Sequence, residues 1–203
     1  MASEIVIPKK ERWTYSDYMN FTPPDSFGFQ VIRGELIVSP SPKRNHQWCI
    51  QKLLSILDGH VTRQKLGEVF VAPFDVVLDA HLPEPENIVQ PDLMWISTER
   101  LEIVTDENVK GAPDLVIEVL SRSTARYDRV GKMEIYSEFG VCEYWILDTD
   151  AKVLEVFDFT NERPSLVVSL AGDDIFRPRL FPNLEILLTH IWYPEKEDGK
   201  DHD

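Results

Sequence analysis

Two carboxylates stand in runs that would otherwise read as purely apolar strands: Asp92 in VQPDLMWIS and Glu118 in GAPDLVIEVLS. An unpaired ionised carboxylate among Val, Ile, Leu and Trp costs on the order of several kcal/mol, or takes up a proton instead. Each therefore needs a compensating partner, and a divalent cation is one candidate. Along an extended strand Asp114, Val116, Glu118 and Leu120 project one way, and Leu115, Ile117 and Val119 the other. Asp114 and Glu118 would lie roughly 13 Å apart at about 3.3 Å per residue, too far to share an ion directly. Asp92, on a neighbouring strand, can come much closer to Glu118. Two oxygen ligands with several retained waters are what a magnesium ion accepts, so Asp92 and Glu118 form the expected metal pair.

Each candidate has a structural rival. Asp92 and Asp114 both follow a proline and could simply accept backbone hydrogen bonds at the start of a strand; for Asp114 that reading is preferred. Glu118 could form a salt bridge to a Lys or Arg of the following helix. Glu35, beside Gly34, and His46, near the start of a helix, could reach the rim of a site, or be a solvated turn carboxylate and a helix-start histidine. Arg122, Arg126, Arg129 and Lys132 cluster in SRSTARYDRVGK, the natural place to look for a bound phosphate.

The elements that must position these groups are legible in outline. Residues 11–20 suggest a short helix starting at Thr14 or Ser16. FGFQVIRGELIVSPSP reads as a hairpin turning at Arg33-Gly34, with Phe29, Val31, Leu36 and Val38 inward. From Asn45 to Lys65, apolar residues recur at three- and four-residue spacing, the pattern of an amphipathic helix on a sheet. EVFVAPFDVVLD, VQPDLMWIS and PDLVIEVLS follow as three strands, RVGKMEIYSEFG as a helix ended by Gly140, and EYWILDTDAKVLEVFDFT as two strands around a turn at 148–151. PSLVVSLAGDDIFRPRL adds a strand pair before the closing segment LEILLTHIWY. The order is that of a mixed α/β fold, one domain over residues 1–190 with an N-terminal arm, and an acidic, disordered tail over 191–203.

The chain has 203 residues and a net charge of −14, which excludes coating nucleic acid through a broad basic surface, because phosphate affinity comes from Lys and Arg. Any such contact must be local. No apolar run is long enough for a membrane span and no secretory leader is evident, so a cytoplasmic location is expected. Cys49 and Cys142 lie among apolar neighbours without metal-ligand spacing and read as reduced core residues.

Taken together, a Pro-Asp on one strand, an acidic residue on the next and a nearby lysine, in the order α-β-β-β-α-β, resemble the PD-(D/E)XK nuclease superfamily, the fold of many restriction endonucleases. More narrowly, RGELIVSPSP with His46 after it, QPDLMWIS, GAPDLVIEVLSRST and YDRVGKMEIYSEFGVCEYWILD are similar to the Uma2 family of endonucleases, over about residues 14–190. The resemblance implies a restriction-endonuclease-like core with a mixed sheet and flanking hairpins, and Mg²⁺-dependent hydrolysis of a DNA phosphodiester, with Mn²⁺ able to substitute. Asp92 matches the motif aspartate and Glu118 the acidic residue of (D/E)XK. The lysine expected two positions after Glu118 is replaced by Leu120. Its role passes to Lys132, which shares a helix face with Tyr136. A homodimer touching through LEILLTHIWY is the expected assembly, since double-strand cutting wants two sites. The alternative is a catalytically inactive nuclease fold kept for nucleic-acid or protein binding, motivated by the acidic surface and the missing lysine; a third is a structural or dimerisation domain with its carboxylates neutralised by salt bridges.

Overall fold

The computed structural model describes residues 7–22, 28–39, 41–120, 128–161 and 163–194. The chain begins with α1 (Tyr15–Phe21), whose Thr14 and Asp17 form a reciprocal capping box that satisfies two first-turn amides. The hairpin β1 (Phe29–Ile32) and β2 (Glu35–Val38) follows. Arg33 and Gly34 both take positive φ, 53° and 78°, the combination a two-residue turn needs to match strand twist. The strands do not alternate as expected. All of β1 is buried, and Val38 is 49% exposed because β2 is the sheet edge.

Next comes α2 (Arg44–Gln64). Cys49, Leu53, Leu57 and Val61 recur every fourth residue and are buried in a core with Leu93, Trp95, Leu115, Ile117, Val119 and Trp145. Truncating one such leucine to alanine typically costs about 2–5 kcal/mol. After α2 the chain turns through Lys65 (φ 55°) into Gly67 (φ 131°), where a Cβ would strike the Ile96 carbonyl.

The remaining strands are β3 (Gly67–Val71), β4 (Asp75–Val77), β5 (Ile88–Val89), β6 (Leu93–Ser97), β7 (Asn108–Lys110), β8 (Leu115–Leu120), β9 (Glu143–Asp148), β10 (Val153–Asp158), β11 (Ser165–Ala171), β12 (Ile175–Phe176) and β13 (Ile186–Leu187). They form a six-stranded sheet ordered β11-β10-β9-β8-β6-β3, a five-stranded sheet ordered β2-β1-β5-β4-β7, and the pair β12-β13. Two of the expected continuous strands are therefore divided between sheets. EVFVAPFDVVLD breaks at Pro73 and VQPDLMWIS at Pro91, since proline cannot donate to a ladder. Strand β7, unforeseen from the sequence, is too short to carry a pattern.

The two sheets pack through Val76, Val89, Met94, Ile96 and Val116, where α3 (Met133–Glu138), entered through a π turn at Asp128–Lys132, inserts Ile135 and Tyr136. Tyr144 and Trp145 are fully buried packing residues. On the outer face of the five-stranded sheet, Tyr18 of α1 and Trp13 just before it join a third cluster. In the closing segment Leu184, Ile186, Leu188, Ile191 and Trp192 are buried in the α2 core, so these apolar side chains are used within the chain itself. Cys49 is a buried free thiol and Cys142 a half-buried one. Among the described residues no helix is long and apolar enough to cross a membrane.

Candidate active site

Strands β6 and β8 are antiparallel, with Leu93 opposite Ile117 and Met94 opposite Val116. One further step along that register sets Asp92 across from Glu118, at the end of the pair where β6 begins. Asp92 lies just outside the ladder, because Pro91 directs the chain away toward the other sheet. Its carboxylate turns back and caps β8: Oδ2 accepts the Val119 N–H at 2.8 Å. His46 Nε2, from the first turn of α2, stands 3.1 Å from the same oxygen, and both side chains are almost fully buried. The charge of Asp92 and, more strongly, burial push the Cys49 thiol well above the ordinary cysteine range, which keeps it neutral and inert.

Glu118 is held from the opposite side of the sheet. Lys132 Nζ donates to Oε1 at 2.7 Å and Tyr136 O–H donates to the same oxygen at 2.8 Å. Lys132 closes the π turn and Tyr136 lies one helical turn on, so both reach the same face. The widened turn is an irregularity of the kind often found at functional sites. All three side chains are buried, Tyr136 completely. The strand position two after Glu118 is Leu120, and the lysine that meets Glu118 arrives from the π turn before the next helix.

The position of Asp92 is set by a polar network immediately upstream. Gln90 Nε2 and Tyr18 O–H both donate to Asp75 Oδ1, at 2.8 and 3.0 Å. The Gln90 Oε1 accepts the Gly28 N–H, and the Gln90 N–H reaches Gln30 Oε1. Burial, partly opposed by these donors, raises the Asp75 carboxyl above the usual aspartate value, and burial with the Asp75 charge raises the Tyr18 hydroxyl. These residues clamp the chain where it crosses between sheets, two positions before Asp92. Single polar residues in otherwise apolar runs, as in FQVI, FDVV and IVQP, were the available signal.

The remaining candidates lie elsewhere. Asp114 sits at the start of β8, the far end of the strand pair, where it accepts the Ser97 N–H and pairs with Arg100, each at 2.8 Å. Glu35 is exposed at the hairpin turn and lines a separate surface groove with Lys9, Lys10 and Arg33. Of the basic cluster, Arg122 and Arg126 fall outside the described residues. Arg129 is engaged by Glu155 and, at 3.7 Å, by Asp148, so its charge is already matched by carboxylates.

The donor set suits a hard cation. Asp92 and Glu118 offer carboxylate oxygens from adjacent strands, with the Val119 amide and His46 at Oδ2 of Asp92 and Lys132 and Tyr136 at Oε1 of Glu118. Among the described residues no cluster of three or more His, Cys, Asp or Glu is gathered. Two protein carboxylates with the remaining positions left to water and phosphate is the pattern magnesium favours over an all-protein cage.

Comparison with known proteins places the chain in a family and a fold. The model of the Uma2 family, described as "Putative restriction endonuclease", matches residues 15–189. The uncharacterized protein sll1609 of Synechocystis sp. is 25% identical over 146 residues, 71% of this chain and 80% of its own. A crystal structure described as a putative nuclease belonging to DUF820, from Anabaena variabilis, superimposes with a TM-score of 0.70 at 16% identity, covering 88% of this chain and 97% of that one. That likeness establishes a shared mixed α/β fold.

Proposed function

Because the chain belongs to the Uma2 family of restriction-endonuclease-like proteins, we propose that it hydrolyses DNA phosphodiester bonds with Mg²⁺ held between Asp92 and Glu118. The observation that carries this reading is the convergence of Lys132 and Tyr136 on one oxygen of Glu118, while Asp92 is fixed on the adjacent strand. A purely structural carboxylate could be satisfied by backbone donors. On this reading Lys132 is a group able to orient water or bear on a phosphate, beside a carboxylate that would hold the metal.

When bound, the cation would polarise the phosphate and lower the pKa of a water, with Mn²⁺ able to replace it. The chain's own residues do the rest. The Val119 amide and His46 hold Asp92 Oδ2, aiming its carboxylate at the strand end. Tyr136 and Lys132 fix the rotamer of Glu118. The Lys132 ammonium, a compact donor at the site, lies where it can orient the attacking water and offset charge on the phosphorus oxygens. Water gives up a proton as its oxygen bonds to phosphorus, the P–O bond to the leaving sugar oxygen breaks, and that oxygen takes up a proton, so the proton count is unchanged. The burial around Lys132 and Glu118 excludes bulk water and strengthens these interactions. Two copies of the chain would present one site to each strand of a duplex.

The test is plasmid nicking with Mg²⁺ or Mn²⁺ alongside calorimetric metal binding, for the wild type and for Asp92→Ala and Glu118→Ala. The reading requires both signals in the wild type and neither in the variants. A binding-only module is the second reading, favoured by the contacts of Lys132 with Glu118 and of His46 with Asp92, which form without any metal. It requires DNA binding that persists in EDTA with no cleavage on any substrate.

A further inference from the structure

The stretch Lys43–Ile56 carries Lys43, Arg44 and Lys52 and no Asp or Glu, in a chain whose net charge is −14. Arg44, Trp48 and Lys52 follow one another at i, i+4 and i+8 and so form a single stripe along α2. The stripe is interleaved with rings. The Arg44 guanidinium lies over the Tyr193 ring at 4.2 Å, the Trp48 and Tyr193 rings meet edge to face at 5.3 Å, and Lys52 Nζ lies 4.5 Å from the Trp48 ring centre. Tyr193 differs from its neighbours Ile191 and Trp192, which are buried in the apolar core; it stays half-buried beneath a cation.

The stripe connects two cavities. One, of about 460 Å³, is lined by Lys43, Arg44, Asn45, His46, Leu120 and Thr149, with Asp150 as its carboxylate. It opens beside the candidate active site, since His46 contacts Asp92 and Leu120 follows Glu118 by two positions. The other, of about 410 Å³, is lined by Trp48, Lys52, Ser55, Thr189, His190 and Trp192. From Lys43 to Ile56 the helix advances about 20 Å at about 1.5 Å per residue.

We propose that this face of α2 binds a single-stranded segment of DNA leading to the Asp92–Glu118 site. The inference rests on the nuclease reading and adds the form in which its substrate arrives. Lys43, Arg44 and Lys52 follow the phosphates, and Trp48 and Tyr193 stack on bases. Stacking requires exposed base faces, which a duplex keeps inside and a single strand displays; alternating cations and aromatic rings is how non-sequence-specific single-strand tracks are built. An acidic protein can hold nucleic acid this way because the cations are concentrated locally while the surrounding charge repels it elsewhere.

The experiment is fluorescence anisotropy in EDTA, so that cleavage is silent, with a short labelled oligothymidine and a duplex of the same length, paired with metal-dependent nicking on the same samples. Trp48→Leu is expected to weaken the single strand about tenfold or more, from the loss of one stacked base, and the duplex little, while Trp48→Phe retains most of the affinity. Lys43→Glu, at an exposed position outside the ring contacts of Arg44, Trp48 and Lys52, is expected to weaken the single strand while leaving the thermal midpoint near wild type, which keeps the test independent of packing at Trp48. Asp92→Ala is expected to bind and not cut. A wild type that ignores oligothymidine, or a Trp48→Leu variant that loses single strand and duplex equally, overturns the track. If nicking still depends on Asp92, the nuclease reading survives that result. Track-dependent binding without any cleavage supports the track and removes the nuclease reading.

Discussion

The two ends of the β6-β8 pair carry the same dipeptide and different partners. Pro91-Asp92 opens β6 and Pro113-Asp114 opens β8, and because the strands run antiparallel the two aspartates land at opposite ends. Asp114 is held by a backbone amide and Arg100. Glu143, also at that end, is held by Arg179 and the Trp145 indole. None of these partners exchanges a proton near neutral pH, and the contacts tie elements together. At the other end Asp92 faces His46 and Glu118 faces Lys132 and Tyr136. Those partners are side-chain groups that hold the carboxylates and could also donate to a substrate. Partner chemistry, more than burial, separates carboxylates that hold the fold from carboxylates that could act.

The largest expected effect tests that division directly. Asp92→Ala and Glu118→Ala should each lower nicking about 10²–10³-fold, the usual cost of one electrostatic group at a reacting centre. Asp114→Asn should leave the nicking rate near wild type. It should instead lower stability by about 1–3 kcal/mol in urea, the cost of disturbing a buried hydrogen-bonded group. Equal losses of activity at both ends would break the comparison.

Next in size is the balance within the active end. Lys132→Met leaves Glu118 buried without its cation and should cost about 3–5 kcal/mol in chemical denaturation. Adding Glu118→Leu should recover most of it, since an apolar pair tolerates the site better than one stranded charge. A double variant no more stable than Lys132→Met would mean that Lys132 contributes through packing alone.

The smallest effect sharpens a third kind of carboxylate, Asp75, whose partners Tyr18 and Gln90 carry no charge. Its folded pKa is raised from 3.8, first by burial. The raised value means that Asp75 favours folding fully below the ordinary aspartate range, and that this contribution is lost as pH rises through the folded value. Asp75→Asn removes the ionisation while keeping an oxygen that can accept both hydrogen bonds. Its thermal midpoint relative to wild type should therefore be higher at pH 8 than at pH 3.5, and a pH-independent difference would show that Asp75 is not ionising inside the fold.

Much of the frame was legible in the residues. The helix start at Thr14 or Ser16, the three- and four-residue apolar spacing from Asn45 to Lys65 and the Arg33-Gly34 turn are local patterns, and local patterns are set by short-range sterics and periodicity. So was the oddity of Glu118 inside an apolar strand, because desolvating a charge is costly wherever the strand lies. What the sequence alone could not decide was which groups meet across the fold. Whether Pro73 and Pro91 ended strands or redirected them into a second sheet depended on which sheets the chain could pack together. Whether Asp92 or Asp114 shared an end with Glu118 depended on strand direction, and whether Lys132 reached Glu118 depended on a π turn. These are contacts between distant segments, whose free energy comes from burying whole faces together, and no single stretch of the chain contains that information.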